Sequence, residues 1–298
     1  MTTVLCAGVA VIDFVLSLPE LPRRAEKYRA RDAMIVGGGC AANAAVAVAR
    51  LGGTALLATR LGDDPVGDLI VSDLEREGVD CRLARRYPGR RSSFSSVFVD
   101  AAGERQIVNF RDEMLDREAD WLKAGDAPAF DAALADTRWP EDAAALLRLA
   151  RQRGRPAVLD VEAPVEVAQG ALAAATHLAF SEQGLRHFSG HDDVEAGLRA
   201  AGALFGAFVC VTQGADGVRW LEGGMLRHMA GFAVDAVDTL GAGDVWHGAF
   251  ALALGEGKGE VQAMRFASAV AAIKCGRFGG RSGAPSRAEV EEFLRERS

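Results

Sequence analysis

Basic charge is scarce in this chain of 298 residues, where 34 Lys and Arg face 41 Asp and Glu and leave a formal charge of -7. That balance favours solubility and provides no cationic footprint for nucleic acid. Cysteine is sparse as well. Cys6, Cys40, Cys81, Cys210 and Cys275 stand alone, with no C-x-x-C, and only five histidines accompany them. This excludes the spaced ligand sets of structural zinc sites and fits small buried hydrophobes in a reducing compartment. No apolar run approaches the roughly 18 to 20 charge-free residues that cross a bilayer. The first 20 residues lack a basic stretch ahead of their apolar segment, so no signal peptide is expected. A globular, cytoplasmic protein without membrane or nucleic-acid partners is the expectation. Two phosphate-handling motifs are missing too: there is no G-x-x-x-x-G-K-[ST], and no protein-kinase set of G-x-G-x-x-G, V-A-I-K, H-R-D and D-F-G.

What the chain does have is 49% hydrophobic and 25% charged residues, the balance of a folded enzyme. Its length suits one principal domain over 1–298 with a small appendage. Val4–Val9 reads as a buried strand in which Gly8 allows a close approach, and Asp13 is expected where a strand ends. Gly37-Gly38-Gly39 leads into an alanine-rich helix closed by Gly52-Gly53, and small side chains let such a helix pack tightly. Asp64 and Pro65 open a helix whose apolar face is Val66, Leu69, Ile70 and Leu74. Arg85, Arg86, Arg90 and Arg91 around Tyr87-Pro88-Gly89 read as a solvated loop. Residues 93–109 form a hairpin turning at Gly103, and with strand-like pieces within 14–36 they predict a small β lid. From Ala132 onward strands alternate with helices at 141–152, 165–174, 184 and 193–203, which favours parallel pairing and a three-layer α/β core. A second hairpin turns at Gly223-Gly224, helices follow at 242–255 and 260–275, and a capped helix begins after Ser286.

The sharpest chemical signal is Asp238-Thr239-Leu240-Gly241-Ala242-Gly243-Asp244. Gly241, Ala242 and Gly243 sit where a turn becomes a helix, so consecutive backbone N–H groups can face outward at the positive helix end. Such a nest suits the oxygens of a phosphoryl group in flight, and Asp244 beside it can accept a hydroxyl proton and orient the attacking oxygen. An ordinary glycine turn followed by an acidic first helical turn is the bland alternative.

This segment, together with Gly37-Gly38-Gly39-Cys40-Ala41-Ala42-Asn43 and Val211-Thr212-Gln213-Gly214-Ala215-Asp216-Gly217, resembles the PfkB or ribokinase family of carbohydrate kinases over essentially the whole chain. The resemblance implies a ribokinase-like α/β/α sandwich, ATP and Mg2+, and often a homodimer formed through the lid. It implies Asp244 as base and Gly241, Ala242 and Gly243 as anion hole. Asp13, Gly38, Gly39 and Asn43 would meet the sugar; Thr212, Gly214, Gly217, Ala272, Cys275 and Gly276 would border ATP. Where the family commonly carries N-x-x-E for magnesium, this chain has Ser181-Glu182-Gln183-Gly184, so no metal ligand is assigned; Glu182 or Asp160 are the substitutes.

Lys27, Asn109 and Arg138 fall on the lid or at strand ends, where cations and amides could hold an anionic end of the sugar. With Glu26-Lys27-Tyr28, Asp136-Thr137-Arg138-Trp139 and Phe180-Ser181-Glu182, the trio resembles a narrower group, the bacterial sulfofructose kinases. That resemblance implies transfer to the 1-hydroxyl of 6-deoxy-6-sulfofructose. Fructose 6-phosphate, a neutral ketose, a ribose-like sugar, a nucleoside acceptor and a silent sugar or nucleotide sensor stay open beside it.

Overall fold

The computed structural model describes residues 1–115 and 127–297. At its centre lie β1 (Thr3–Ala7), β4 (Thr54–Gly62), β5 (Val79–Asp80), β9 (Ala132–Asp136), β10 (Ala157–Val161), β11 (His177–Ser181) and β12 (Phe208–Thr212), running parallel in the order β12-β11-β10-β9-β1-β4-β5. Alternate residues of one strand feed opposite cores, as a two-residue side-chain period requires: Val4 and Cys6 face one layer, Leu5 and Ala7 the other. The first layer holds α1 (Cys40–Arg50), α2 (Pro65–Arg76), α7 (Ala242–Gly255), α8 (Glu260–Cys275) and the final α9 (Arg287–Arg295). The second holds α3 (Pro140–Gln152), α4 (Gln169–Ala174), α5 (Glu182–Ser189) and α6 (Val194–Phe205). The antiparallel strands β13 (Val218–Glu222) and β14 (Met225–Met229) extend the β12 edge. This is the expected α/β/α sandwich.

Local chemistry sets the helix starts. Asp64 accepts from the Gly67 amide at 2.9 Å ahead of Pro65, and Ser286 and Glu289 form a reciprocal cap on α9. The lid is a separate sheet, β3 (Asp32–Gly38), β2 (Val11–Ser17), β7 (Phe94–Val99) and β8 (Arg105–Phe110) in that order, with β2 and β7 parallel.

Three expectations are corrected. Asp13 stands inside β2, because the first strand stops at Ala7 and the chain turns at Gly8 into the lid. The space a Cβ would take at Gly8 is filled by a side chain, the Asp136 carboxylate. Arg85 to Tyr87 belong to a strand, β6 (Ala84–Tyr87), which pairs with the end of β4 beyond the short β5. Arg86 is held there by the Gly62 carbonyl and Asp68 carboxylate, each at 2.8 Å. The helix expected over 165–174 is a single 3-10 turn at Glu166–Ala168 followed by the short α4.

Candidate active site

The N-terminus of α7 opens with Gly241 at φ +73°, a conformation that glycine adopts without the Cβ clash other residues meet. The Ala242 amide is turned back to the Thr239 carbonyl at 3.2 Å. The amides of Gly241, Gly243 and Asp244 have no acceptor among the described residues. A Cβ on Gly243 would meet nothing within 4 Å, so the approach to these N–H groups is open. The amides left open at this helix start are therefore those of Gly241, Gly243 and Asp244, with Ala242 closing the turn.

Asp244 projects from the first turn of α7 and is met by α1. Asn43 Nδ2 donates to Asp244 Oδ2 at 2.7 Å. The pair exists because the two helices pack with almost nothing between them: a Cβ on Gly248 would lie 2.4 Å from the Ala44 carbonyl oxygen. Enclosure by protein pushes the Asp244 carboxyl up to about 6; bonds from Asn43 and the Cys40 thiol offset part of that, while the Glu162 and Asp136 charges add to it. A carboxylate of that basicity is a better proton acceptor near neutral pH than an ordinary aspartate.

Behind Asp244 lies a buried carboxylate, Asp136, that sequence reasoning left unassigned. Its Oδ2 accepts from the amides of Val9 at 2.8 Å and Ala41 at 3.2 Å, and its Oδ1 accepts from the Arg138 amide at 2.9 Å. One side chain thus ties the exit of β1, the start of α1 and the end of β9. The only signal in the sequence was an aspartate at a strand end facing a strand-end glycine. Cys40, expected as a small hydrophobe, lies instead among charges, with its sulfur within 4.8 Å of carboxylate oxygens of Asp160 and Asp244.

A cavity of about 640 Å³ ends at Ala242 and Gly243. Thr212, Gly214, Gly217, Ala272 and Cys275 line it, together with the aromatic Phe232 and Trp246. Gly276 is instead the cap residue at the end of α8. The segment leading to the nest is anchored from beneath: Cys275 accepts from the Val237 amide at 2.7 Å, and the wholly buried Lys274 donates to the Asp238 carbonyl at 2.6 Å. Asp238 also accepts from the Gly280 amide at 2.9 Å, which fixes the glycine loop of 279–280 against it.

On the lid, Asp13, Ser95 and Asn109 stand in one cross-strand row, because Asp13 pairs with Ser95 and Ser95 with Asn109. Residues in register share a face. Asp13 carries a carboxyl raised chiefly by burial, with a Ser95 bond and Arg281 opposing, and a Cβ on Gly38 would come within 2.9 Å of its Oδ2. Gly39 adjoins the same turn and accepts from the Asn43 amide at 2.8 Å. Lys27 is exposed in the segment between β2 and β3. Arg138 is not brought to these residues by any contact: it pairs with Glu162 at 3.1 Å and donates to the Ala163 carbonyl at 3.1 Å. Ser181 caps α5, and Glu182 accepts from Gln213 Nε2 at 3.3 Å.

Residues 1–287 match the family described as pfkB family carbohydrate kinase. A ribokinase of Bacillus subtilis is 30% identical over 299 residues, covering 99% of this chain and all of that protein. An ATP-dependent ribose-1-phosphate kinase of Halopiger xanaduensis is 33% identical over 305 residues, covering 100% of this chain and 99% of the relative. A solved structure from Agrobacterium tumefaciens superposes with a TM-score of 0.93 at 40% identity, covering 99% of this chain and 98% of that one. None of these three is described as a sulfofructose kinase.

Proposed function

The chain belongs to the pfkB family of carbohydrate kinases, and from that premise we propose that it transfers the γ-phosphoryl group of ATP to an exocyclic hydroxyl of a small furanose sugar of the ribose or fructose kind. One observation carries the reading: the Asn43–Asp244 pair at 2.7 Å stands directly beside the unspent amides of Gly241 and Gly243. Asp244 takes the hydroxyl proton and aims the oxygen; the amides receive the charge that builds on the equatorial phosphoryl oxygens. The small residues of the 640 Å³ cavity leave room for a nucleotide whose phosphates end at the nest, and the Phe232 and Trp246 rings offer it apolar surface. Asp13 and Gly38 hold sugar hydroxyls from the lid and Asn43 from α1, and closure of the lid keeps water from the phosphoryl group.

Magnesium brought with ATP is a hard cation that keeps several waters and needs only one or two carboxylates. Glu162 and Glu182 fit that demand as oxygen donors at or just past the ends of β10 and β11. They would hold it through water and neutralise phosphate charge.

An anionic acceptor, 6-deoxy-6-sulfofructose or fructose 6-phosphate, is the second reading. It is favoured by the ribose-1-phosphate relative; a cavity of about 360 Å³ offers it Ser93, Arg111 and Arg138, although Asp112, Glu113 and Glu141 line the same space. It requires Arg138 to exchange Glu162 for the substrate. Exposed Ile35 and Val108, at 56% and 60% on the outer lid face, support association of two lids in a homodimer.

An ATP-consumption assay with ribose, fructose, fructose 6-phosphate and 6-deoxy-6-sulfofructose tests the proposal. A kcat/KM for a neutral sugar higher by about 100-fold, some 2.7 kcal/mol in transition-state binding, supports the furanose reading. The reverse order establishes the anionic one, and no turnover with any of the four sinks both.

A further inference from the structure

We propose that Cys40, Asp160 and Asp244 form a site for a thiophilic divalent cation of the zinc class, and that its occupancy switches the kinase off by engaging the base. The three residues come from the start of α1, from β10 and from the first turn of α7. Their ligand atoms, one sulfur and two carboxylate oxygens, lie within 4.8 Å of one another. Zinc bonds of about 2.3 Å to sulfur and 2.0–2.2 Å to oxygen put neighbouring ligands some 3.5 Å apart. Small side-chain rotations close that gap.

Asp160 is the residue that points to a cation as the ligand. It is only 4% exposed, and its Oδ1 has no hydrogen-bond partner among the described residues. Its Oδ2 lies 3.4 Å from His247 Nδ1, an imidazole that burial holds neutral. A buried carboxylate oxygen without a donor is costly, and protein interiors rarely keep one. The charges around it add to the deficit. Asp136, Glu162 and Asp244 press on Asp160, and the opposing cation, Arg138, is itself shared with Glu162.

The sulfur decides the class of ion. Magnesium takes oxygen ligands and does not displace a thiol proton, whereas zinc and cadmium favour thiolate. Binding releases the Cys40 proton to solvent and places a metal on the oxygens with which Asp244 would accept the sugar proton. His247 then serves as the outer partner that orients Asp160. The inhibitory half of the proposal rests on Asp244 acting as the kinase base; the binding half does not.

The test is titration of the metal-free protein with Cd2+, followed by the cadmium–thiolate absorption in the near ultraviolet. Cys40→Ser and Asp160→Asn are titrated in parallel, with thermal melting to confirm that each folds. The expected result is a band that saturates at one ion per chain, disappears in Cys40→Ser, and needs about 10-fold more metal in Asp160→Asn. Zn2+ competes for the site and millimolar Mg2+ does not; Zn2+ also inhibits turnover reversibly with EDTA. A band unchanged in Cys40→Ser, or one removed by Mg2+, overturns the site. Cadmium binding as expected in a protein that phosphorylates no sugar would uphold the site and overturn the switch. An active kinase that shows no Cys40-dependent band overturns the proposal and leaves the kinase reading standing.

Discussion

Asn43 and Asp244 are carried by two helices packed so tightly that a single methyl group at Gly248 would collide with α1. Lys27 and Asn109, by contrast, are exposed on the lid or its connecting segment, and Arg138 leans on a partly exposed glutamate. The body strand β10 is buried along its whole length, whereas β8 of the lid is exposed at all but its last residue. The residues proposed for proton transfer sit where packing is densest, and Lys27 and Asn109, proposed for recognition, sit where it is thinnest. The same contrast explains why the family was legible from the base end and the acceptor was not legible from the lid end.

The largest effect should come from breaking the rigid end at its reacting atom. Asp244→Asn is expected to lower kcat by about 10³-fold or more while leaving the circular dichroism spectrum unchanged. Its stability provides a signed check. The folded carboxyl is raised to about 6, above its ordinary value, so its contribution is favourable when protonated at low pH and is lost as pH rises through about 6. At neutral pH the charge opposes folding, and the asparagine variant should melt slightly higher than the parent.

Disturbing the packing rather than the chemistry comes next. Gly248→Val forces α1 and α7 apart, since the new Cβ would lie 2.4 Å from a backbone oxygen. A loss of about 2–3 kcal/mol in denaturant stability is expected, with activity falling alongside it. A parent-like midpoint would mean that the helices give way freely and that the base is not held as described.

Asn43→Ala removes the donor at 2.7 Å and should cost roughly 10-fold in kcat. The pH profile reads the same pair. The wild-type rate should fall on the acid side with an apparent pKa near 6, and loss of Asn43, which favours the ionised form, should move that limb upward.

At the compliant end the effects shrink. Arg138→Ala frees Glu162 and, for a partly exposed pair at 3.1 Å, should change stability by only about 0–1 kcal/mol. With a neutral sugar its KM should stay within about threefold of the parent; with an anionic sugar it should rise by 10-fold or more. The two outcomes separate the neutral and anionic readings of the acceptor.

Much of the architecture announces itself locally. Asp64-Pro65 and Ser286 with Glu289 are capping signals that need only neighbours in sequence, and the helices they predict are present. Gly241-Ala242-Gly243-Asp244 likewise encodes a turn, a helix start and an acid in the first turn within four residues. Other features depend on partners far along the chain. Arg86 looked solvated until Gly62 at the end of β4 and Asp68 of α2 supplied its acceptors, 24 and 18 residues away. Asp136 reaches Val9 across 127 residues and Ala41 across 95. No periodicity records such contacts.

Strand–helix alternation and local capping were enough to predict a three-layer α/β core, because propensity and capping act over a few residues; the carbohydrate-kinase expectation came from the resemblance of three glycine-bearing segments to a known family. Only the tertiary structure decided that Asn43 backs Asp244, that Arg138 belongs to Glu162, and that Cys40 faces Asp160 and Asp244 rather than a hydrophobic core. Those pairings depend on how closely α1, α7 and the ends of β9 and β10 converge, a distance set by packing across the whole domain.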